Sequence, residues 1–440
     1  MDKLLTNKLL LFTIHLALGF LCTVAIFAKL YGFLIIVIGS YFIIRNKNSN
    51  EEAILAASYL VGAEVFLRMT SGVILFETGK YGVFFFLLLG LFVGKNNNKP
   101  NITFFIYILL LLLGIVFTSV PEGESVRNSI VFNLSGPVLL GFCSLYFYKR
   151  RMTKKTVNLA LYYMALPVIS TASFLYFRTP SLREIVFTGS ANFATSGGFG
   201  PNQVATILGV GIFIFGIFLL IKKRITGYFF LDVLLFIYLI YRALLTFSRG
   251  GLITGIAALV LFVFIYFLQR EVSYKSFFKI IALSVVFGIG TWLYTSNATG
   301  GMLDNRYAGK NARGIKKKDV TSGRLSIIEE QLQSFYESPI VGIGVGNGKF
   351  KRQLSAKEVT AASHNEIGRL IEEHGLIGLF SLVLLFSVPI SIFFKSTLYQ
   401  KAYLVAFVCF WFLTIGHSAM RIAFPSFIYG LSLINIKPDE

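Results

Sequence analysis

The chain has 440 residues, of which 55% are hydrophobic, 16% aromatic and only 14% charged, and its formal net charge is +20. Soluble domains carry about 25% charged residues, so a water-solvated globular fold is excluded and lipid must cover most of the surface. The basic excess, taken alone, is compatible with a nucleic-acid partner or with a membrane protein whose positive charge is gathered in loops.

Crossing a bilayer core takes roughly 20 apolar residues in a helix. Runs that meet or approach this occupy 8–27, 30–45, 53–69, 81–95, 102–119, 129–148, 156–177, 202–221, 228–246, 251–268, 277–295, 375–394, 401–416 and 421–435. The second, fourth and last are the shortest, so the pattern predicts twelve to fourteen transmembrane helices. The first run is followed by further spans and lacks a small-residue cleavage site, which reads as an anchor and not a removed signal. Lys and Arg near span ends favour the cytoplasmic side. With Lys3 and Lys8 inside, strict alternation brings every compact basic cluster to that side: Arg45/Lys47, Lys95/Lys99, Lys149 to Lys155, Lys222 to Arg224, Arg270/Lys275 and Lys395/Lys401. Topology therefore accounts for the charge, and no nucleic-acid partner is expected.

The expected fold is an all-α polytopic membrane protein. It comprises a helical bundle over 1–295, a polar loop subdomain over 296–370 and C-terminal membrane helices over 371–440. Four segments fall on the outer face: a Gly- and Ser-rich stretch over 178–200, the turn Ser248-Arg249-Gly250-Gly251, the long loop, and the turn around 417–425. Within the loop, apolar positions at Ile327, Ile328, Leu332 and Phe335 predict a helix over 326–338 that Pro339 ends. The loop holds twelve Lys and Arg against seven acids. Its Lys316 to Lys318 run is either a solvated surface or a patch that attracts anionic head groups and membrane lipids. Cys22, Cys143 and Cys409 lie in apolar runs as packing residues, and no disulfide framework or metal-ligand spacing is present, so no cofactor and no metal is expected.

Residues that could carry chemistry gather on the same outer face. Arg249 and Arg324 offer permanent charge in a planar fork that matches phosphate oxygens, whereas no Asp-x-Asp or comparable acidic pair stands on that face to hold a divalent ion. His364 titrates near neutral pH and could take a proton from a sugar hydroxyl. Arg242, seven residues before Arg249, is either a second phosphate ligand or the ion-pair partner of an acid such as Glu64. Asn202 either caps a span or meets substrate, Asn365 holds the segment by backbone contacts, and Arg369, His417 and Arg421 are placed to line the same cavity. His15 reads as a bonded core residue, and His374 falls further along the helix that follows His364. The Gly342-x-Gly344-x-Gly346-x-Gly348 series lacks the strand-to-helix context of a dinucleotide fingerprint. It reads as a backbone turn, and no nucleotide partner is expected.

Four segments in this order, Gly200-Pro201-Asn202, Ser248-Arg249-Gly250-Gly251, Thr321-Ser322-Gly323-Arg324 followed by Ser338 to Gly346, and His364-Asn365 with Gly375-x-x-Gly378, resemble the O-antigen ligase and O-antigen polymerase superfamily across about residues 190–380. The resemblance implies a fold similar to polytopic glycosyltransferases. It implies an undecaprenyl-pyrophosphate glycan donor and, in the ligases, a lipid A–core acceptor, with metal-independent inverting transfer at the periplasmic face of the bacterial inner membrane. By position it assigns pyrophosphate binding to Arg249 and Arg324 and the essential histidine to His364. The alternatives are a polymerase that joins lipid-linked repeats and, from another class, a polytopic lipid or glycan transporter. The paired broken helices of two related halves that many transporters show are not visible here.

Overall fold

The computed structural model describes residues 7–75, 77–94, 99–268, 274–317, 319, 321, 323–354 and 363–437. Lys3, Lys95, Arg270, Lys318, Ser322 and Lys357, which figure in the sequence reading, lie outside the described residues. The first half of the chain forms α1 (Lys8–Leu21), α2 (Ala25–Arg45), α3 (Glu52–Met69), α4 (Thr78–Val93), α5 (Ile102–Val116) and α6 (Val126–Phe147). A short strand β1 (Arg151–Thr153) precedes α7 (Lys154–Arg178), α8 (Pro201–Leu220), α9 (Phe229–Leu245), α10 (Arg249–Phe267) and α11 (Tyr274–Ala298). The loop carries α12 (Met302–Tyr307), α13 (Arg324–Glu337) and α14 (Asn347–Leu354), and the chain ends with α15 (Glu366–Lys395), α16 (Leu398–His417), α17 (Phe424–Ser432) and β2 (Asn435–Lys437).

The protein is an all-α polytopic membrane protein, and each expected span overlaps one of these helices. Among the described residues, seven helices are long and apolar enough to cross a membrane, and α1, α4 and α5 are shorter apolar helices. Polar side chains start many of them: Asn7, Asn101, Ser125, Thr153 and Thr397 each accept a hydrogen bond from a first-turn N–H, and Pro201 opens α8 where its missing donor costs nothing. α7 and α8 form the centre, with 83% of their apolar windows buried against 28% in α2. Ile26, Phe92, Val116 and Phe230 lie exposed on the perimeter, as expected where the surrounding solvent is hydrocarbon.

Charges inside the spans such as Glu64 and Asp232 are ion-paired or hydrogen-bonded, because an isolated charge in lipid is costly. Glu64 bonds Arg68 at 2.8 Å, and both Asp232 oxygens accept backbone N–H groups from Ile225 and Thr226. His15 is a bonded core residue, with Nδ1 2.7 Å from Leu11 O and Nε2 3.0 Å from the Tyr59 hydroxyl. The last expected span, 421–435, departs from the sequence reading: α17 has nine residues, a rise of roughly 14 Å, too short to cross by itself. Its irregular ends are buried in protein, where non-helical backbone is tolerated. Glu64 Oε2 accepts the Ala423 N–H at 2.6 Å, and β2 pairs in parallel with β1.

The bundle has two distinct ends. At one, Lys8 donates to Arg224 O, Arg150 pairs with Glu51 and the β1–β2 ribbon forms, so the basic turns after α2, α6 and α8 lie together. At the other, Asn192 N–H donates to Thr246 O, Arg306 to Phe247 O and Arg421 to Ser363 O, which brings the remaining turns and the long loop together.

The glycine series has a structural task. α15 breaks at Gly375, where φ is 59° and ψ −139°. Beside the break, the Ile343 and Gly344 N–H groups donate to Glu372 O and Glu373 O, and Leu376 N–H donates to Pro339 O. The backbone groups freed by the break are thereby paired again. Gly344 has φ +87°, and a Cβ there would stand 2.1 Å from Phe117 O. Gly344→Ala should destabilise the protein by at least about 1–3 kcal/mol, read as a lower thermal unfolding midpoint in detergent. An unchanged midpoint would show that the close approach at Gly344 is not needed for the fold.

Candidate functional site

The turn from Pro339 to Gly344, bonded to Glu372, Glu373 and Leu376, links the break to the end of the bundle where α13 and the start of α15 meet. Gln331 on α13 bonds Glu372, which Arg352 also holds at 2.9 Å, and Gly368 leaves room for the Gln331 amide. This polar lock fixes α13 so that its first residue, Arg324, faces the tip of α15. Asn365 caps α15, accepting from Ile367 N–H at 3.0 Å and Gly368 N–H at 3.4 Å, while Ser363 Oγ accepts the Asn365 N–H. The cap defines the position of His364, immediately before it.

His364, Asn365 and Arg324 line a cavity of about 700 Å³ together with Asn202, Ser248 and Arg249. Arg306 from α12 completes the wall. No Asp or Glu is among the described residues that line it. Arg249 opens α10 after a sharp turn in which Phe247 has φ +56°. Ser248 donates to Asn202 Oδ1 at 2.8 Å, which ties the turn to the start of α8. Arg306 donates to Phe247 O at 2.9 Å and to Gly189 O at 3.2 Å, and Lys317 also reaches Gly189 O. The Gly- and Ser-rich stretch thus supplies backbone acceptors that hold loop cations beside the turn.

The electrostatics are one-sided. Burial lowers the pKa of Arg306, and Arg249 and Arg324 lower it further; Arg324 is lowered by burial and then by Arg249. Such mutual repulsion is relieved by a bound anion. His364 opens to the cavity, yet the surrounding protein costs it hydration, and burial, then Arg421, then Arg324 hold its pKa below the ordinary value of 6.5. The imidazole is therefore neutral at neutral pH, the form that accepts a proton.

The other expected site residues divide. Arg421 lies on the far side of His364, donating to Ser363 O at 2.9 Å and resting 3.9 Å from the Phe132 ring centroid. His417 lies beneath the site, not in its wall. Its Nδ1–H donates to Leu413 O, its Nε2 is 3.3 Å from Thr206 Oγ1, and its ring packs where a Cβ on Gly250 would be. Arg242 is not among the residues lining the cavity: it donates to Leu175 O, Thr179 Oγ1 and Thr195 O, and Glu64, its alternative expected partner, pairs with Arg68 instead. Arg369 is buried between Glu366 and Glu373 as an ion-paired strut. Arg306 was missed by sequence reasoning, because a single arginine on a six-residue helix belongs to no motif.

The helical bundle thus ends in a cationic cavity with a neutral imidazole in its wall, an arrangement suited to holding an anion. Residues 234–383, which contain Arg249, Arg306, Arg324 and His364, match the family model described as O-antigen ligase. No curated protein matches the chain.

Proposed function

We propose that the protein is an O-antigen ligase of the bacterial inner membrane. It moves a glycan from undecaprenyl pyrophosphate to a sugar of lipid A–core at the periplasmic face. The observation that carries this reading is the shared cavity of Arg249, Arg306, Arg324 and His364. The acceptor hydroxyl attacks the anomeric carbon of the donor glycan, and its proton passes to the His364 imidazole. The bond from that carbon to the phosphate oxygen breaks, and lipid pyrophosphate leaves with the electron pair. Three guanidiniums stabilise the charge that develops on the leaving oxygens, a role in which fixed cations gain most from a partly dehydrated site. Attack from the side opposite the pyrophosphate inverts the anomeric centre. The periplasmic assignment follows from the basic turns at the opposite end of the bundle.

The second reading, a polymerase, uses the same chemistry with a lipid-linked repeat as acceptor. Purified protein supplied with lipid-linked glycan and either acceptor separates them: glycosylated lipid A–core is expected, and chain lengthening alone would replace ligase by polymerase. A transporter would give neither product. Transfer is also expected to survive a chelator, because the proposed charge stabilisation is by arginine. Inhibition reversed by a divalent cation would overturn that part of the scheme.

A further inference from the structure

His364 belongs to two cavities. Beyond the arginine-lined one, its other side faces a second space of about 420 Å³ lined by Arg68, Glu77, Phe132, Phe199, Gln203 and Arg421. The two differ in charge. The first has three arginines and no lining carboxylate among the described residues. In the second, Arg68 is neutralised by Glu64 at 2.8 Å and Glu77 at 3.0 Å, and Glu77 also bonds Lys80. Arg421, the second lining cation, donates to Ser363 O and rests over the Phe132 ring. With a carboxylate also in the wall, the space suits a diphosphate less than the first cavity does, whereas an uncharged polyhydroxyl compound meets both donors and acceptors. Gln203 Oε1 is a buried acceptor with no hydrogen-bond partner among the described residues, and an unpaired buried acceptor is costly until a ligand hydroxyl reaches it. Phe132 and Phe199 add flat apolar faces, the mixture of aromatic wall and few polar groups that ligand pockets use.

A third cavity, about 770 Å³, shares Glu77 and Phe132 with the second and is lined further out by Ser125, Asn128, Asn133 and Phe350. It continues the wall formed by Glu77 and Phe132 and offers room for further sugars.

We propose that the second cavity is the acceptor site, taking an uncharged sugar whose attacking hydroxyl meets His364, with preceding sugars continuing into the third. Among the described residues, His364 is the side chain that the first and second cavities share, so it stands between donor diphosphate and acceptor sugar. This rests on the glycosyl-transfer reading above, and deepens it by separating the two substrates in space.

Equilibrium binding to the purified full chain in detergent tests it with diphosphate-free and sugar-free probes. The first are core oligosaccharide released from lipid A and a free repeat-unit oligosaccharide; the second is undecaprenyl pyrophosphate. Gln203→Leu and Phe199→Ala should weaken oligosaccharide binding about tenfold, the equivalent of one lost hydrogen bond to a buried group, and leave undecaprenyl pyrophosphate binding unchanged. Arg306→Ala should do the reverse. Which oligosaccharide binds identifies the acceptor class. Gln203→Leu and Phe199→Ala weakening only undecaprenyl pyrophosphate, or the wild type binding neither oligosaccharide, would overturn the acceptor site while the arginine cavity stands. Undiminished undecaprenyl pyrophosphate binding in Arg306→Ala and Arg249→Ala would instead overturn the transfer reading beneath it.

Discussion

His364→Ala is expected to cut glycan transfer by about 10²–10⁴-fold, the usual contribution of a positioned general base, while the protein still folds and inserts. The wild-type pH profile should carry the same signature. Burial and the neighbouring Arg421 and Arg324 depress the pKa of His364, and the neutral ring is the working form. Transfer should therefore be level across neutral pH and fall only as pH drops through a value below 6.5. Arg421→Gln removes one of the two repelling charges, so its acid limb should move to higher pH. An acid limb above 6.5 in the wild type, or a full rate in His364→Ala, would remove the imidazole from the chemistry. Asn365→Ala separates position from protonation: it loses the cap of α15 and should lower the rate by displacing His364, without moving the limb.

The helices were legible because hydropathy and loop charge are properties of the sequence itself, and the apolar runs map onto helices one for one. Where the reading failed, the deciding interactions are long-range or depend on a backbone turn. Arg242 and Arg249 look like neighbours on one helical face, but a left-handed Phe247 breaks the helix between them, and Arg242 turns instead to carbonyls of α7 and of the 190s segment. Arg369 is a different case. Its partners sit at i−3 and i+4, as Glu366 and Glu373, a spacing that brings side chains together on any helix and could have been read as a closed ion-pair cluster. The break at Gly375 was hidden because nothing local distinguishes it from a packing glycine. Only the chain from Pro339 to Gly344, over thirty residues earlier, supplies the groups that make the break tolerable. The order of the short motifs did indicate which residues share one end of the bundle, and Arg249, Arg324, His364, Asn202 and Asn365 do line one cavity.

Arg249→Ala should abolish most transfer, by about 10²–10³-fold, the scale at which single charge-stabilising donors act in dehydrated sites. Arg249 and Arg306 are not equivalent, however. Arg306 spends two donors on Phe247 O and Gly189 O, so Arg306→Ala also frees two backbone acceptors and loosens the turn that carries Arg249. Its loss of rate should be accompanied by a lower unfolding midpoint. Lysine substitutions sharpen the distinction, since an ammonium preserves charge but not the planar fork. Arg249→Lys should recover only part of the rate if the guanidinium grips two phosphate oxygens, and nearly all of it if a point charge suffices. Steady-state rates with undecaprenyl-pyrophosphate glycan, measured beside thermal midpoints for each variant, resolve these outcomes. A fully active Arg249→Ala would move the leaving pyrophosphate out of this cavity and leave its cluster of arginines without a substrate.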